Sequence, residues 1–144
     1  MQGTARPLPD VTDPEFAFYW SSAREERLVV QKCTNCGMFR WPPREICLTC
    51  RSFEWEWSPA DPVGELYSWT VVERASSVGI PTPYVVAVVE LRNPAGIRVL
   101  GNLVDVKVPS AELTIGCAVE AVFERVTPDV VLPQWRVLSP VHPI

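Results

Sequence analysis

Four of the five cysteines in this chain form two Cys-x-x-Cys pairs, Cys33 with Cys36 and Cys47 with Cys50. Thiolate sulfur is a preferred ligand of Zn²⁺, and structural zinc sites hold the ion with four ligands in a tetrahedron. Each pair makes a tight turn with two inward sulfurs, and the ten residues between the pairs leave room for one short hairpin. Gly37 suits the left-handed backbone at the end of the first turn. The spacing predicts a zinc ribbon with one structural Zn²⁺ per chain.

Other uses of two Cys-x-x-Cys pairs fit this chain less well. Disulfides are disfavoured because the N-terminus shows no signal peptide and the fifth cysteine leaves an odd number. A redox Cys-x-x-Cys needs a thioredoxin-like βαβ context, which the sequence does not show. An iron–sulfur cluster stays an alternative, although such clusters more often use other cysteine spacings.

Beyond these cysteines, few residues are arranged for catalysis. The single histidine, His142, lies between prolines near the C-terminus, which is a poor position for a general base. Cys117 has no histidine near it in sequence that would activate a nucleophile, and we expect it to pack as a small apolar residue. A zinc ion held by four thiolates keeps no position open for water. We therefore predict no catalytic residues and a chain whose role is to bind other molecules.

Composition limits the function classes further. The 144 residues allow one compact domain or two small ones, and no apolar run approaches the roughly 20 residues that span a bilayer. The N-terminus has neither a basic region nor an apolar stretch, so we expect a cytoplasmic protein without a membrane segment. The formal net charge of −4 disfavours nucleic-acid binding, where neutralising phosphates supplies much of the affinity. Fifteen prolines with only seven glycines indicate short strands joined by stiff connections.

A helix is predicted to precede the cysteines. Asp13 has the character of an N-cap, and the proline after it is favoured at the first helical position. From there the helix is expected to run to about Arg27, with Phe16, Tyr19 and Trp20 on one face. Spacing alone leaves two interpretations open. This face either packs on the protein's own core or docks to a partner, since a small ribbon offers little surface to cover so many aromatic rings.

The rest of the chain is predicted to be β-structure. Strands are expected at 28–32, 38–41 and 53–57 around the cysteine pairs, and, after a proline-rich linker at 59–62, at 66–74, 84–91, 97–104, 118–126 and 132–138. One helical turn is expected at 109–113. The last five strands, in this order, fit a five-stranded OB-fold barrel, with an SH3-like barrel as the alternative.

Arginines near the barrel strands are candidate ligand contacts. Arg74, Arg92 and Arg98 flank the predicted strands, and the loop at 75–83 carries small residues and prolines. OB-fold barrels bind ligands on the face near such loops, and arginines there could hold the phosphates of a ligand. The alternative for each arginine is an ordinary solvated charge at a strand edge.

Several short motifs occur together in one order. They are the first cysteine pair with its glycine, the run 41–44 (WPPR), the second cysteine pair, and the runs 64–72 (GELYSWTVV), 83–87 (PYVVA), 101–104 (GNLV), 115–116 (IG) and 132–133 (LP). In these motifs the chain resembles the zinc-ribbon-plus-OB-fold proteins long catalogued as a domain of unknown function and described as acyl-CoA-associated. The resemblance covers roughly residues 14–138.

The resemblance implies a mainly β fold with an N-terminal helix, a rubredoxin-like zinc ribbon and a C-terminal five-stranded OB-fold barrel. With the sequence pattern, it places an arm and partner-facing helix at 1–27, the ribbon at 28–58, the barrel at 63–138 and a tail at 139–144. Carried over by position, the four paired cysteines become the zinc ligands. The residues that become candidate partner contacts are Phe16, Tyr19, Trp20 and Arg44.

The family also implies a function. Its members work as small partners of thiolase-fold proteins, whose chains carry most of the catalytic residues. Archaeal members bridge a thiolase and a hydroxymethylglutaryl-CoA synthase at a shared CoA site, and similar actinobacterial domains join thiolase homologues in steroid side-chain retro-aldolases. Others form thiolases for aromatic succinyl-CoA intermediates. We therefore expect a non-catalytic but required subunit of a thiolase or retro-aldolase that acts on acyl-CoA substrates, in a heterotetramer by analogy.

Two other hypotheses belong to different classes. An OB-fold barrel could bind single-stranded nucleic acid by stacking bases on Trp55, Trp57, Tyr67 and Trp69, although the acidic charge balance opposes this. A free-standing acyl-CoA binder or enzyme would act without any partner. Salt dependence of binding distinguishes the first hypothesis, and turnover of a CoA thioester by the purified chain alone distinguishes the second.

Overall fold

The computed structural model describes residues 6–74, 79–108, 110 and 113–138. The elements are α1 (Ala17–Arg24), β1 (Val29–Cys33), β2 (Phe39–Arg40), β3 (Trp55–Pro59), β4 (Val63–Val72), β5 (Tyr84–Leu91), β6 (Arg98–Leu103), β7 (Ala118–Arg125) and β8 (Val131–Val137). The first three strands form a small sheet, and the last five form a closed barrel. This mainly β architecture confirms the predicted fold class.

Helix α1 is shorter than the sequence predicts at both ends. Asp13 does cap the turn before it, since its Oδ1 accepts from the N–H of Glu15 at 3.0 Å and its carbonyl accepts from Ala17 at 2.7 Å. At the other end Glu26 takes a left-handed φ of 57°. The N–H of Arg27 then bonds back to a carbonyl five residues earlier, and this Schellman-type closure ends the helix before Arg27.

The small sheet has the strand order β2-β1-β3, with both pairs antiparallel. In it β1 pairs with β3 over five residues, from Val29 opposite Pro59 to Cys33 opposite Trp55. The pairing of β1 with β2 covers only two residues. Two consecutive prolines, which cannot donate to a strand ladder, follow β2 at 42–43 and keep it short.

The barrel has the strand order β4-β5-β6-β8-β7, and β7 closes it by pairing with β4. The strands β4, β5 and β6 follow one another as antiparallel neighbours. The last strand, β8, lies between β6 and β7 and pairs in parallel with β6 at Leu103 opposite Trp135. This five-stranded Greek-key order is that of an OB-fold barrel, so the OB prediction is confirmed over the SH3-like alternative.

Alternating side chains of these strands fill the barrel. Val85, Ala87 and Val89 of β5 are buried while the residues between them face outward. Trp135 of β8 is only 1 % exposed and is the largest side chain in the core. Gly101 lies against it, because a Cβ there would be 2.8 Å from Trp135 Cδ1. A glycine is therefore required where β6 passes this indole.

The ribbon and the barrel share one hydrophobic core. The fully buried Val30 of β1 belongs to the same cluster of buried residues as Leu66 of β4. The predicted linker at 59–62 is short and tied to the barrel, since the N–H of Asp61 donates to the carbonyl of Asn93 at 2.8 Å. The site described below is consequently built from both parts of the chain.

Some predicted features lie outside the described residues. These are the first four residues of the loop at 75–83, most of the turn at 109–113, and the tail at 139–144 with His142. Within the described residues, no helix is long and apolar enough to cross a membrane.

Candidate metal centre and partner surface

The four paired cysteines meet at one point of the ribbon. Their Sγ atoms lie within 4.8 Å of one another, with 3.6 Å between Cys33 and Cys50 and 3.6 Å between Cys36 and Cys47. Four sulfurs that surround one tetrahedral zinc ion at about 2.3 Å are about 3.8 Å apart, so the observed spacing fits the ion. In the described part of the chain, these four residues alone form such a ligand group.

The two cysteine pairs adopt the same local structure. After the first pair, the N–H of Gly37 donates to the carbonyl of Cys33 at 2.9 Å, and Gly37 has a φ of 78°. After the second pair, the N–H of Arg51 donates to the carbonyl of Cys47 at 2.9 Å, and Arg51 has a φ of 63°. Both turns thus end on a left-handed residue. The sequence indicated this for Gly37 but not for Arg51, since arginine rarely adopts this conformation.

Hydrogen-bond donors around the sulfurs change the acidity of the thiols. The backbone N–H of Cys50, with that of the residue before it, donates to Cys47 and lowers the pKa of that thiol to about 6. The Asn35 side-chain amide, 3.4 Å from the sulfur of Cys50, lowers the pKa of Cys50. At Cys36 the N–H of Met38 also lowers the pKa, but burial and the neighbouring sulfurs outweigh it and raise the pKa to about 12. Zinc binds thiolates, so these donors favour the ligating form.

Aromatic side chains from α1 and the ribbon pack together next to this centre. Tyr19 is 8 % exposed, and its ring centre lies 4.6 Å from that of Trp41 and 4.9 Å from that of Trp20. Phe16 meets Trp41 edge-on at 6.3 Å. Burial raises the pKa of the Tyr19 hydroxyl. Tyr19 therefore belongs to the protein's own core, while Phe16 and Trp20 are only partly covered.

A cavity of about 300 Å³ lies between α1, the ribbon and β6. We call it the aromatic cavity. The side chains that line it include Phe16, Trp20, Trp41, Pro42, Arg98 and Leu100. Leu100 is 69 % exposed, and Phe18 on α1 is 48 % exposed and stacks on Trp57. Apolar surface of this extent next to aromatic rings is typical of protein interfaces.

The three candidate ligand arginines do not form one cluster. Arg98 lies at the rim of the aromatic cavity, where its Nε donates to Glu90 at 3.0 Å and its guanidinium covers the ring of Tyr67 at 3.7 Å. Arg92 follows β5 at the same end of the barrel, whereas Arg74 follows β4 at the opposite end. The eight residues of β5 span about 26 Å, so one phosphate group cannot contact both ends.

Arg44 has a fixed backbone and an exposed side chain. Its N–H donates to the side-chain oxygen of the buried Gln31 at 2.8 Å, and its carbonyl accepts from Arg40 at 2.7 Å. The backbone of Arg44 therefore braces the ribbon, and its guanidinium is left facing solvent.

Sequence reasoning missed part of this surface. It did not single out Trp41 as a wall of the aromatic cavity or Leu100 as an exposed apolar residue. The available signal for Leu100 was its position between Arg98 and the glycine of β6, on the outward side of an alternating strand whose Val99 is buried. The position of Trp41 depends on contacts with α1 that the local sequence does not encode.

A four-cysteine ribbon followed by a closed five-stranded barrel defines the class of zinc-ribbon plus OB-fold proteins. Two family models match the chain in turn: the rubredoxin-like zinc ribbon domain of ChsH2 at residues 20–56, and the C-terminal OB-fold domain of ChsH2 at residues 57–124. A DUF35 domain-containing scaffold protein of Methanocaldococcus jannaschii is 37 % identical over 113 residues, which are 76 % of this chain and 77 % of that protein. The chain therefore belongs to the DUF35 family of ChsH2-type proteins, as its motifs predicted.

Two longer relatives are similar over most of this chain. A probable enoyl-CoA hydratase alpha subunit of Thermomonospora curvata is 35 % identical over 94 % of this chain and 41 % of its own length. The 3-oxo-4,17-pregnadiene-20-carboxyl-CoA hydratase alpha subunit of Mycobacterium tuberculosis is 26 % identical over 95 % of this chain and 44 % of its own length. The chain thus spans less than half the length of these relatives.

Two solved structures are similar to the protein. A chain of the Ltp2-ChsH2(DUF35) aldolase matches it with a TM-score of 0.79 and 33 % identity, covering 92 % of this chain and 98 % of that chain. A DUF35-family protein of unknown function from Sulfolobus solfataricus matches with a TM-score of 0.58 and 16 % identity, covering 89 % and 88 %. The second likeness shows the fold alone, whereas the first extends to sequence.

Proposed function

We propose that this protein is a zinc-binding accessory subunit of a thiolase-fold enzyme that acts on acyl-CoA substrates. The enzyme is a thiolase or a retro-aldolase for steroid side-chain, fatty or aromatic acyl-CoAs, and the catalytic residues belong to its thiolase-fold chain. The accessory subunit stabilises that chain and helps to form its CoA and substrate channel. A heterotetramer of two copies of each chain is the proposed assembly.

One observation carries this proposal. The protein matches 98 % of a chain of the Ltp2-ChsH2(DUF35) aldolase at 33 % identity, so it corresponds in fold and sequence to one chain of that aldolase structure. The exposed apolar surface around the aromatic cavity supports it further, because an accessory subunit needs a surface for its partner. The cysteine centre lies in the ribbon that forms one wall of this cavity, so the metal would act by holding the ribbon in place.

Affinity purification from the native host, with this chain as bait, tests the proposal. We expect a thiolase-fold protein to copurify with one zinc ion per bait chain, and that protein to lose activity or solubility when it is expressed alone. A thiolase-fold partner that is fully active and stable without this chain would contradict the proposal. Nucleic acid or an unrelated protein in the purified sample would also contradict it.

The names of two relatives favour a second candidate, in which the partner is an enoyl-CoA hydratase chain. Both relatives are described as hydratase alpha subunits, and this chain is similar to about two fifths of their length. The same purification distinguishes the two candidates through the identity of the protein that copurifies. Its reaction then checks the assignment, because a hydratase adds water to an enoyl-CoA and a thiolase-fold enzyme makes or breaks a carbon–carbon bond.

The nucleic-acid hypothesis has little structural support. All four aromatic side chains that it needs already contact the protein's own residues: Trp55 meets Trp57 edge-on, and Trp69 packs against the hydrophobic core. Arg98 covers the ring of Tyr67, and Phe18 stacks on Trp57. Trp55 and Trp57 also lie on the ribbon, on a different sheet from Tyr67. A continuous platform for stacked bases is therefore not formed by these four rings.

A further inference from the structure

A second cavity of about 300 Å³ lies between the ribbon and the start of β6. We call it the arginine cavity. Its lining side chains include Arg40, Trp41, Arg44, Cys47, Leu48 and Ile97. Two of these are arginines, and none of the residues that line the cavity is acidic. Leu48 beside them is 72 % exposed, so the cavity combines positive charge with open apolar surface.

The charge of Arg40 is held only by neutral groups. Its Nε donates to the Gln31 side-chain oxygen, and its Nη2 donates to the carbonyl of Arg44 at 2.7 Å. Its third nitrogen, Nη1, is buried without a hydrogen-bond partner. A nitrogen of a cationic group that is buried without a partner is unfavourable, because its lost hydration is not replaced.

Four of the eleven arginines in the described residues form ion pairs with glutamates: Arg6 with Glu124, Arg27 with Glu25, Arg98 with Glu90 and Arg136 with Glu120. Arg40 and Arg44 are among the seven that do not, and these two line the same cavity. Neither Arg40 nor Arg44 has a carboxylate within ion-pair distance among the residues that the structure describes. The arginine cavity therefore carries two positive charges that no carboxylate of the described residues neutralises.

The arginine cavity is adjacent to the aromatic cavity. Trp41 lines both of them, and β6 with the residue before it contributes Ile97 to one and Leu100 to the other. A protein that covers the aromatic cavity would also cover the arginine cavity. The part of that partner that faces the arginine cavity must be complementary to two positive charges and an apolar rim.

We propose that the arginine cavity receives an acidic segment of the partner subunit, in which an aspartate or glutamate lies beside apolar side chains. The carboxylate pairs with Arg44 and supplies the missing counter-charge beside Arg40, and the apolar neighbours cover Leu48. Arginine suits this role because its planar guanidinium can bind a carboxylate through two hydrogen bonds. The inference rests on the proposed function, since it describes how that partner is recognised.

A competing explanation is that the two arginines serve the cysteine centre. Four thiolates around Zn²⁺ leave a net negative charge, and Cys47 also lines the cavity. The two explanations differ in what the loss of Arg44 changes. A role toward the metal would alter zinc retention, whereas a role toward the partner would alter only the affinity of the complex.

The test uses the complex copurified with each variant of this chain, and the dissociation constant is measured by diluting the assembled complex. We compare the wild type with Arg44→Gln at about 50 and about 500 mM NaCl, because exposed charges are screened over this range. Arg51→Gln is the matched control, since Arg51 is an exposed ribbon arginine that does not line the cavity. The zinc content and resistance to a chelator are measured on the same samples.

We expect Arg44→Gln to weaken the complex about 10-fold or more at low salt and to flatten its salt dependence. Arg51→Gln should stay within about twofold of the wild type, and all three proteins should retain zinc equally. Equal affinity of the wild type and Arg44→Gln would overturn the inference and leave the proposed function intact. Loss of zinc in Arg44→Gln would also overturn it, in favour of the metal role. Failure of the wild type itself to bind would overturn the proposed function and this inference together.

Discussion

The ribbon and the barrel hold their folds in different ways. The ribbon has strands of five, two and five residues, and its two turns are joined by four cysteines rather than by a core of their own. The barrel has strands of six to ten residues around a core with Trp135 at 1 % exposure. The small sheet buries Val29 and Val30 in the core that it shares with the barrel, and the metal ion supplies the further stability that so short a sheet needs. The proposed interface surface, which both parts build, therefore depends on the metal ion as well as on the core.

Removal of the metal should break this comparison most strongly. Structural zinc contributes on the order of 10 kcal/mol or more to a small zinc-binding fold, so the ribbon should not stay folded without it. We expect a strong chelator, or Cys47→Ser, to expose the amides of β1 to hydrogen exchange while those of β5 stay protected. Hydrogen exchange followed by mass spectrometry measures both strands in one experiment. Protection of β1 that survives loss of the metal would show that the ribbon is stabilised by packing alone.

A substitution in the core of the barrel tests the other half of this comparison. Trp135→Ala removes the largest buried side chain and should lower the free energy of unfolding by about 3–5 kcal/mol, through lost burial and the cavity left behind. None of the four cysteines is a sequence neighbour or a strand-pairing partner of Trp135. The zinc content of the folded variant should therefore be unchanged. Chemical denaturation and metal analysis check the two quantities. A variant that folds but binds no zinc would show that the shared core, and not the ion alone, holds the cysteines in place.

A smaller effect on stability is expected at the surface that both parts share. Leu100 is 69 % exposed, so Leu100→Ser should change the free energy of unfolding by no more than about 0.5 kcal/mol. The same change should weaken partner binding, because it removes apolar area from the rim of the aromatic cavity. Leu8, which is 41 % exposed in the N-terminal arm, offers a control through Leu8→Ser. If Leu100→Ser and Leu8→Ser lost equal affinity for the partner, Leu100 would have no specific role in the interface.

The sequence predicted the metal centre and the strands better than it predicted the surface. Cysteine spacing and the alternation of β5 are local patterns, and the structure contains β5 at the predicted residues, Tyr84–Leu91. The early end of α1 depends on the left-handed Glu26, which nothing in the neighbouring sequence indicates. The separation of Arg74 from Arg92 depends on strand direction, which becomes known only with the barrel's topology. Local sequence patterns therefore predicted the strands and the metal ligands. The two cavities could not be predicted in this way, because they form only when these elements pack together.

The central claim is that α1, Trp41 and Leu100 form the surface that binds a thiolase-fold subunit. Hydrogen exchange of this protein, free and in the copurified complex, tests it most directly. We predict that α1, the residues from β2 to the second cysteine pair, and the start of β6 gain protection in the complex, while the end of the barrel near Arg74 is unchanged. Protection confined to the end of the barrel near Arg74 would contradict the claim, because that end lies opposite the one that carries Arg98 and the aromatic cavity.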